Sequence, residues 1–216
     1  MTGVAEKIRE TAARLLSEGT VDLVLGYENG TLPLRTTTCF VRNAGDVGRL
    51  VWNRSCENNL AQLLIKRPGK AAVVVKGCDS RALVALMREN QIQRDRVFII
   101  GVPCPGIIDR RRVEKILAGR ELTAASEEGD RLVLRGDDFT ESVALADLMH
   151  ETCATCRHPN PVLYDVLVGE EVPAKDAPRY TMVERLEAMS NEERDAFWAA
   201  QMQKCIRCYA CRQACP

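Results

Sequence analysis

Four cysteines in Cys205-Ile-Arg-Cys208-Tyr-Ala-Cys211-Arg-Gln-Ala-Cys215-Pro216 carry the strongest chemical signal in the sequence. Cysteines three apart on a tight coil can aim thiolates at three corners of an iron–sulfur cube, and C-x2-C-x2-C-x3-C-P is the ligand run of bacterial [4Fe–4S] ferredoxins. The match holds at every position, the proline included. A zinc knuckle would need a C-x2-C pair set well apart from a second pair. In two-cluster ferredoxins the fourth cysteine ligates the other cluster. The chain is therefore expected to continue past Pro216 with further cysteines; the alternative is that Cys215, or Cys56 from elsewhere in the chain, closes a single cluster.

A second set is Cys78, Cys104, Cys153 and Cys156. The first two fall just beyond two apolar runs that read as neighbouring buried strands, where open α/β sheets place their ligand sites. The other two form a C-x2-C pair. Four thiolates meeting at one sheet edge could hold another [4Fe–4S] cluster. Three alternatives stand beside that reading. Cys78 and Cys104 could be small buried hydrophobes; His150, Cys153, Cys156 and His158 could bind one zinc; Cys78 could be a reactive thiolate at a helix N-terminus. Cys39 and Cys56 stand alone and receive no role, although Cys56 is the better spare ligand. Arg110-Arg111-Arg112 opens a helix and reads as a solvated face, the alternative being a site for an anionic cofactor or partner.

Ten cysteines in 216 residues is too many for chance packing and the chain is too large for a disulfide mini-protein. With no export signal at the N-terminus, clustered thiols read as metal ligands in a reducing, cytoplasmic setting. Thirty basic and thirty acidic side chains cancel, which removes any global field toward nucleic acid. The longest apolar runs, Ala71 to Val75 and Val97 to Val102, are far short of a membrane span.

These cysteines need elements to position them. Apolar residues at Val4, Ile8, Ala12, Leu15 and Leu16 predict a helix to Ser17, with a strand from Val21 to Gly26. Asn29-Gly30 signals a tight turn into a second strand over Leu32 to Val41. A short helix follows from Asn58 to Lys66. Ala71 to Val75 is a buried strand, Lys76-Gly77-Cys78 a turn, and Asp79 an N-cap for a helix from Ser80 to Glu89. Val97 to Ile100 is the next strand and Asp109 caps a helix over Arg110 to Leu117. This order gives a crossover in a largely parallel sheet. Leu122 to Gly136 reads as a hairpin, Glu141 to His150 as a helix, Tyr164 to Val168 as a strand, and Gly169 to Arg179 as a linker. Helices over Met182 to Met189 and Glu192 to Lys204, the latter capped by Ser190 or Asn191, deliver the chain to the cysteine run.

The stretches Lys76-Gly-Cys78-Asp-Ser-Arg-Ala-Leu83, Gly101-Val-Pro-Cys104, and Cys153-Ala-Thr-Cys156 followed by Tyr164-Asp-Val-Leu-Val-Gly169 resemble, in this order, the beta subunits of coenzyme F420-reducing hydrogenases and related formate dehydrogenases. The resemblance implies an α/β domain, residues 1–172, that holds one [4Fe–4S] cluster on Cys78, Cys104, Cys153 and Cys156 and usually FAD. Of the family's G-G-x-x-T turn, associated with the flavin, Thr2-Gly3-Val4-Ala5-Glu6 keeps one glycine, so no flavin site is assigned. The ferredoxin motif, often ahead of this domain in the family, here follows it. The expected architecture is an α/β domain with flanking helices, a linker and helix over 173–189, and a small helical ferredoxin-like arm over 190–216 carrying Cys205, Cys208, Cys211 and Cys215. The expected function is an electron-transfer subunit with two or more [4Fe–4S] clusters. It would sit in a complex of hydrogenase, formate dehydrogenase or heterodisulfide-reductase type, beside other flavin- or iron–sulfur-containing subunits. The rival from another class is a zinc-stabilised interaction scaffold without redox activity.

Overall fold

The structure, a computed structural model, describes residues 2–65 and 67–214. Cys215 and Pro216, and with them the fourth position of the C-terminal run, lie outside the described residues, as does Lys66 at the end of one expected helix. The chain divides into two compact units, residues 1–177 and 178–216.

The first unit is built on a five-stranded sheet whose strands lie in the spatial order Thr36–Val41, Leu23–Asn29, Ala71–Val75, Val97–Gly101 and Val166–Leu167. Helix α1 (Thr2–Ser17) buries Ile8, Ala12 and Leu15, the stripe that its sequence spacing demands. Strands β1 (Leu23–Asn29) and β2 (Thr36–Val41) pair antiparallel, Val24 against Val41. The two-residue turn expected at Asn29-Gly30 is instead a longer loop, closed by a bond from the Gly30 amide to the Arg35 carbonyl (2.8 Å). Pro33 has no amide to give to a ladder and Leu34 takes a left-handed φ of 56°, so the second strand cannot begin at Leu32. Strand β3 (Ala71–Val75), buried along its whole length, lies parallel to β1 on one side and to β4 (Val97–Gly101) on the other.

Helix α2 (Gly77–Arg88) crosses from β3 to β4. It starts at Gly77, ahead of the expected Ser80, because Asp79 is its third residue and not its N-cap: the carboxylate reaches back to the Lys76 amide in a capping box. The helix expected over residues 58–66 shrinks to a 3-10 turn, Ala61–Leu64, whose entry is held by the Asn59 side chain accepting from the Ala61 amide (3.0 Å). After α3 (Arg110–Leu117), capped by Asp109 as its sequence predicts, come three antiparallel strands, β5 (Ala124–Glu128), β6 (Arg131–Arg135) and β7 (Thr140–Ala144). The last of these replaces the first half of the expected helix 141–150. Alternation across the Leu132–Val143 and Leu134–Glu141 pairs wins there, and only the short α4 (Leu145–Leu148) remains helical. Leu145 and Leu148 then join Ile108, Val113, Leu117, Leu132 and Leu134 in a second, smaller core.

The short helix α5 (Glu151–Ala154) precedes β8 (Val166–Leu167), which extends the sheet beside β4. β8 is shorter than expected because the Asp165 carboxylate takes the Ile99 amide (2.7 Å), ending the ladder with a side chain. The architecture is thus the expected mixed α/β one, a mostly parallel sheet with flanking helices.

The second unit holds α6 (Thr181–Glu187), α7 (Asn191–Met202) and α8 (Ala210–Ala214). Ser190 is the N-cap of α7 and exchanges bonds with Glu193 in a capping box. Among its described residues no side chain is buried. Below about 40 residues a chain cannot bury enough surface to hold itself together without metal, cross-links or association. Among the described residues of the protein no helix is long and apolar enough to cross a membrane.

Candidate metal centre

The ends of β3 and β4 are in register, Val75 against Gly101, and Cys78 and Cys104 follow at equal distances along the two outgoing turns. A bond from the Val102 amide to the Val75 carbonyl (2.9 Å) keeps those turns side by side. The third cysteine-bearing segment is tied to the second. Ile108 and Met149 form an isolated antiparallel bridge, the His150 amide bonds the Ile107 carbonyl (3.0 Å), and the Cys104 amide bonds the Pro159 carbonyl (2.9 Å). The His150 carbonyl accepts from the Cys153 amide (2.9 Å), and the Cys153 carbonyl accepts from the Cys156 amide (3.3 Å), one tight coil carrying both sulfurs. As a result Cys78, Cys104, Cys153 and Cys156 all line one recess, walled by Pro105, Ile107, Pro159 and Val172.

Two glycines make this approach feasible. A Cβ on Gly77 would fall 2.1 Å from the His158 carbonyl oxygen, so any side chain there would drive the 156–160 coil off the turn bearing Cys78. Gly106 has a φ of +118° and its Cβ would meet the Met149 sulfur at 2.4 Å. Gly77→Ala is expected to lower unfolding stability by about 1–3 kcal/mol, the range for overpacking against backbone; chemical denaturation of the metal-free protein checks it.

Among the described residues no three His, Cys, Asp or Glu side chains converge closely enough to hold one metal ion. A structural zinc requires four donors at about 2.0–2.3 Å from a single point. The four cysteines of the recess line one space without forming a single-ion site, and an all-cysteine donor set of this kind suits a cluster whose corners are separate iron atoms. The residues present therefore fit a [4Fe–4S] group. The mixed zinc set does not form. His150 is drawn to Glu57 and Asp109, with its ring nitrogens 3.8 Å from a carboxylate oxygen of each, and is absent from the recess lining.

Beneath the recess lies an ion pair that sequence reasoning missed. Lys76 is 2% exposed and Asp79 1% exposed, and Nζ stands 2.8 Å from the carboxylate. The same ammonium donates to the Tyr27 hydroxyl (2.7 Å) and to the Cys56 (2.9 Å) and Asn58 (3.1 Å) carbonyls. Burial alone would lower the Lys76 pKa, but Tyr27 and Asp79 outweigh it and hold the ammonium above the usual lysine range. Desolvation likewise pushes the buried Tyr27 phenol well up. The signal available in the sequence was a lysine at the mouth of a strand, two residues ahead of a cysteine; nothing in the pattern said it would turn inward.

The Cys78 thiol is pushed up to about 12, first by desolvation and then by the charge of Asp79, whose Oδ1 accepts from Sγ at 3.6 Å. Cys78 as a residue is exposed, at the recess rim, yet its sulfur is disfavoured as a free thiolate. Desolvation and the neighbouring carboxylate thus act against the thiolate that a helix N-terminus would favour. Burial also raises the Cys104 thiol. A metal that accepts these sulfurs supplies the positive charge that favours their deprotonated form.

Cys39 and Cys56 are fully buried in the main core. The Cys56 thiol, pushed up to about 11 by burial, sits against the Asn53 amide and side chain, so its expected part as a spare ligand is not available to it. Arg110 and Arg112 are not a purely solvated face either: the first pairs with Glu57 (3.1 Å), the second donates to the Asp147 carbonyl (2.9 Å).

In the second unit Cys205, Cys208 and Cys211 are exposed. Arg207 and Tyr209, between them, adopt left-handed φ values of 56° and 57°, which coil the run tightly, and the Arg207 amide approaches the Cys205 sulfur at 3.4 Å. Amide-to-sulfur bonds of this kind tune iron–sulfur potentials.

A larger cleft of about 810 Å3 opens beside the recess, within the range of cofactor pockets. Its walls come from α1, the β1–β2 loop, residues 51–55, Ile108 and the three-stranded sheet, and they include Arg9, Arg35, Arg54 and Trp52. Arg54 reaches both spaces: its guanidinium bonds Glu127 (3.2 Å) in the cleft wall and the carbonyl of Gly106 (3.2 Å) in the recess wall.

A family model that describes the C terminus of the beta subunit in coenzyme F420 hydrogenase/dehydrogenase matches residues 69–213. The chain is 25% identical to the F420-dependent formate dehydrogenase 1 subunit beta of Methanococcus maripaludis, over 94% of this chain and 69% of that protein. It is 22% identical to the F420-dependent formate dehydrogenase subunit beta of Methanocaldococcus jannaschii, with the same coverage. Among solved structures, a chain of the F420-reducing [NiFe] hydrogenase complex from Methanosarcina barkeri superposes with a TM-score of 0.54 at 14% identity, a likeness of fold. That match covers 70% of this chain and 59% of the other, so the present chain spans a little over half of its solved counterpart.

Proposed function

From a chain that belongs to the coenzyme F420 hydrogenase and dehydrogenase beta-subunit family, we propose an iron–sulfur electron-transfer subunit of an oxidoreductase complex. One observation carries the proposal: four cysteines from three distant stretches of sequence line a single recess at the strand ends, where no single-ion site forms among the described residues. In this reading residues 1–172 hold a [4Fe–4S] cluster on Cys78, Cys104, Cys153 and Cys156. Residues 190–216 carry a second one on Cys205, Cys208, Cys211 and Cys215. Each cluster accepts and passes one electron at a time. The neighbouring cleft suits FAD in volume, and its arginines suit a diphosphate. A flavin there would exchange electron pairs for single electrons.

The protein's share of the work is to fix spacing and charge. Arg54 joins the wall of the cleft to the wall of the recess, so the two redox spaces are held together by one side chain. The other subunits of the complex, of hydrogenase, formate dehydrogenase or heterodisulfide-reductase type, supply donor and acceptor. Protein purified without oxygen is expected to be brown, with iron and acid-labile sulfide in equal amounts. Zinc in place of iron would overturn this and leave an interaction scaffold.

A further inference from the structure

The stretch after β8 does not run free, as its composition suggests for a linker. It folds back across the recess. Val172 and Asn160 are clasped by two bonds, from the Val172 amide to the Asn160 side-chain oxygen (2.9 Å) and from the Asn160 side-chain nitrogen to the Val172 carbonyl (3.0 Å). Three residues on, the Lys175 amide bonds the Cys156 carbonyl (3.2 Å), and the Lys175 ammonium reaches the Cys153 carbonyl (2.9 Å) and the Met149 sulfur (3.2 Å). Both Val172 and Lys175 line the recess.

The partners of that ammonium are unusual. Lys175 is half-buried, and among the described residues it makes no ion pair. The other lysine at the recess, Lys76, is already neutralised by Asp79. A half-buried cation held only by a carbonyl and a thioether has dipoles as partners but no opposite charge. The opposite charge is supplied if the recess holds an anion. A [4Fe–4S] group with four thiolate ligands is such an anion, and it gains one more negative charge on reduction.

We propose that residues 169–177 form a strap across the cysteine recess, and that its Lys175 ammonium compensates the cluster's charge and raises its reduction potential; this rests on the four-cysteine reading above. The positive charge favours the reduced form more than the oxidised one. The asparagine clasp sets how close the charge is brought.

The test is a redox titration, with dithionite as the one-electron donor and the reduced cluster read by paramagnetic resonance. It is done on the full chain in which Cys205, Cys208 and Cys211 are replaced by alanine, so that only the recess contributes. In Lys175→Gln the ratio of reduced to oxidised cluster at a fixed potential is expected to fall about tenfold, which is about 59 mV for a one-electron couple. Lys175→Arg is expected to stay within about twofold of the parent, since it keeps the charge. Should Lys175→Gln fail to retain iron, Asn160→Ala, which loosens the clasp and leaves every charge in place, is expected to move the ratio in the same direction. An unchanged potential in Lys175→Gln, or in Asn160→Ala where that variant decides, overturns the strap's role. Absence of iron from the parent with the arm cysteines removed would instead overturn the four-cysteine reading itself.

Discussion

Cys153→Ser is expected to strip one cluster's worth of iron and sulfide from the protein while leaving the C-terminal site loaded. Cys153 and Cys156 sit on one coil whose backbone is fixed by the His150 carbonyl and the tie to Ile107, so the substitution removes a donor and leaves the scaffold in place. Serine matches cysteine closely in size, but its hydroxyl is a harder, less acidic ligand for iron than a thiolate. With only three thiolates left, one corner iron has no protein sulfur and the group is held less firmly. The converse variant, Cys208→Ser, is expected to remove the other share, and the two together to remove all of it. Cys39→Ala and Cys56→Ala serve as controls, because both thiols are sealed in the apolar core and face no recess. Iron and sulfide per chain in anaerobic preparations decide the matter. Undiminished iron in Cys153→Ser would show that the recess is not a cluster site.

Lys76→Met is expected to cost about 3–5 kcal/mol of folding stability, the range for removing one partner of a buried ion pair. The substitution leaves Asp79 charged at 1% exposure, with the Tyr27 hydroxyl and the Cys56 carbonyl losing the ammonium as a donor, while the Asn58 carbonyl keeps the Tyr27 hydroxyl. Adding Asp79→Asn is expected to recover part of the loss, since the amide oxygen can still accept from the residue 76 amide without carrying a charge. The pH dependence follows from the direction of the shift. Folded Lys76 keeps its proton above the ordinary lysine range, so its contribution is fully present below about pH 10 and fades only as pH rises beyond that. The deficit should therefore be flat from about pH 6 to 9. Denaturant midpoints of metal-free protein measure it, and a loss below about 1 kcal/mol would show that the pair is not a structural keystone.

Much of this was legible in the sequence because the relevant signals are local. The continuous apolar runs of β3 and β4, the caps Asp109 and Ser190, and the stripe of α1 are each decided within one turn or one strand. The placement of Cys78 and Cys104 followed from the same logic, since both lie just past buried parallel strands. What escaped was decided between distant segments. Thr140 to Ala144 reads as helix until Arg131 to Arg135 is available to pair with it. Lys76 reads as a turn lysine until Tyr27 and Asn58, far off in sequence, offer it oxygen atoms. Residues 169–177 have the composition of a linker, and only bonds to the distant Asn160, Cys153 and Cys156 show that they are fastened. Asp79 was misread for a different reason: a carboxylate at the start of a helix serves equally as an N-cap or as the third residue of a capping box, and Gly77 moved the start upstream.

The clasp between Asn160 and Val172 also bears on how the protein is made. The recess draws on Lys76 at one extreme and Lys175 at the other, and a ribosome delivers these in order. Cys78 and Cys104 emerge early, on strands that can already pair, yet the coil bearing Cys153 and Cys156 and the segment that closes over it come far later in the chain. During that interval two thiols stand at an unfinished edge, short of the donors that a four-cysteine centre needs. On the four-cysteine reading, all four donors are in hand only once the chain has been made through Cys156, and the segment that closes over them only after Lys175.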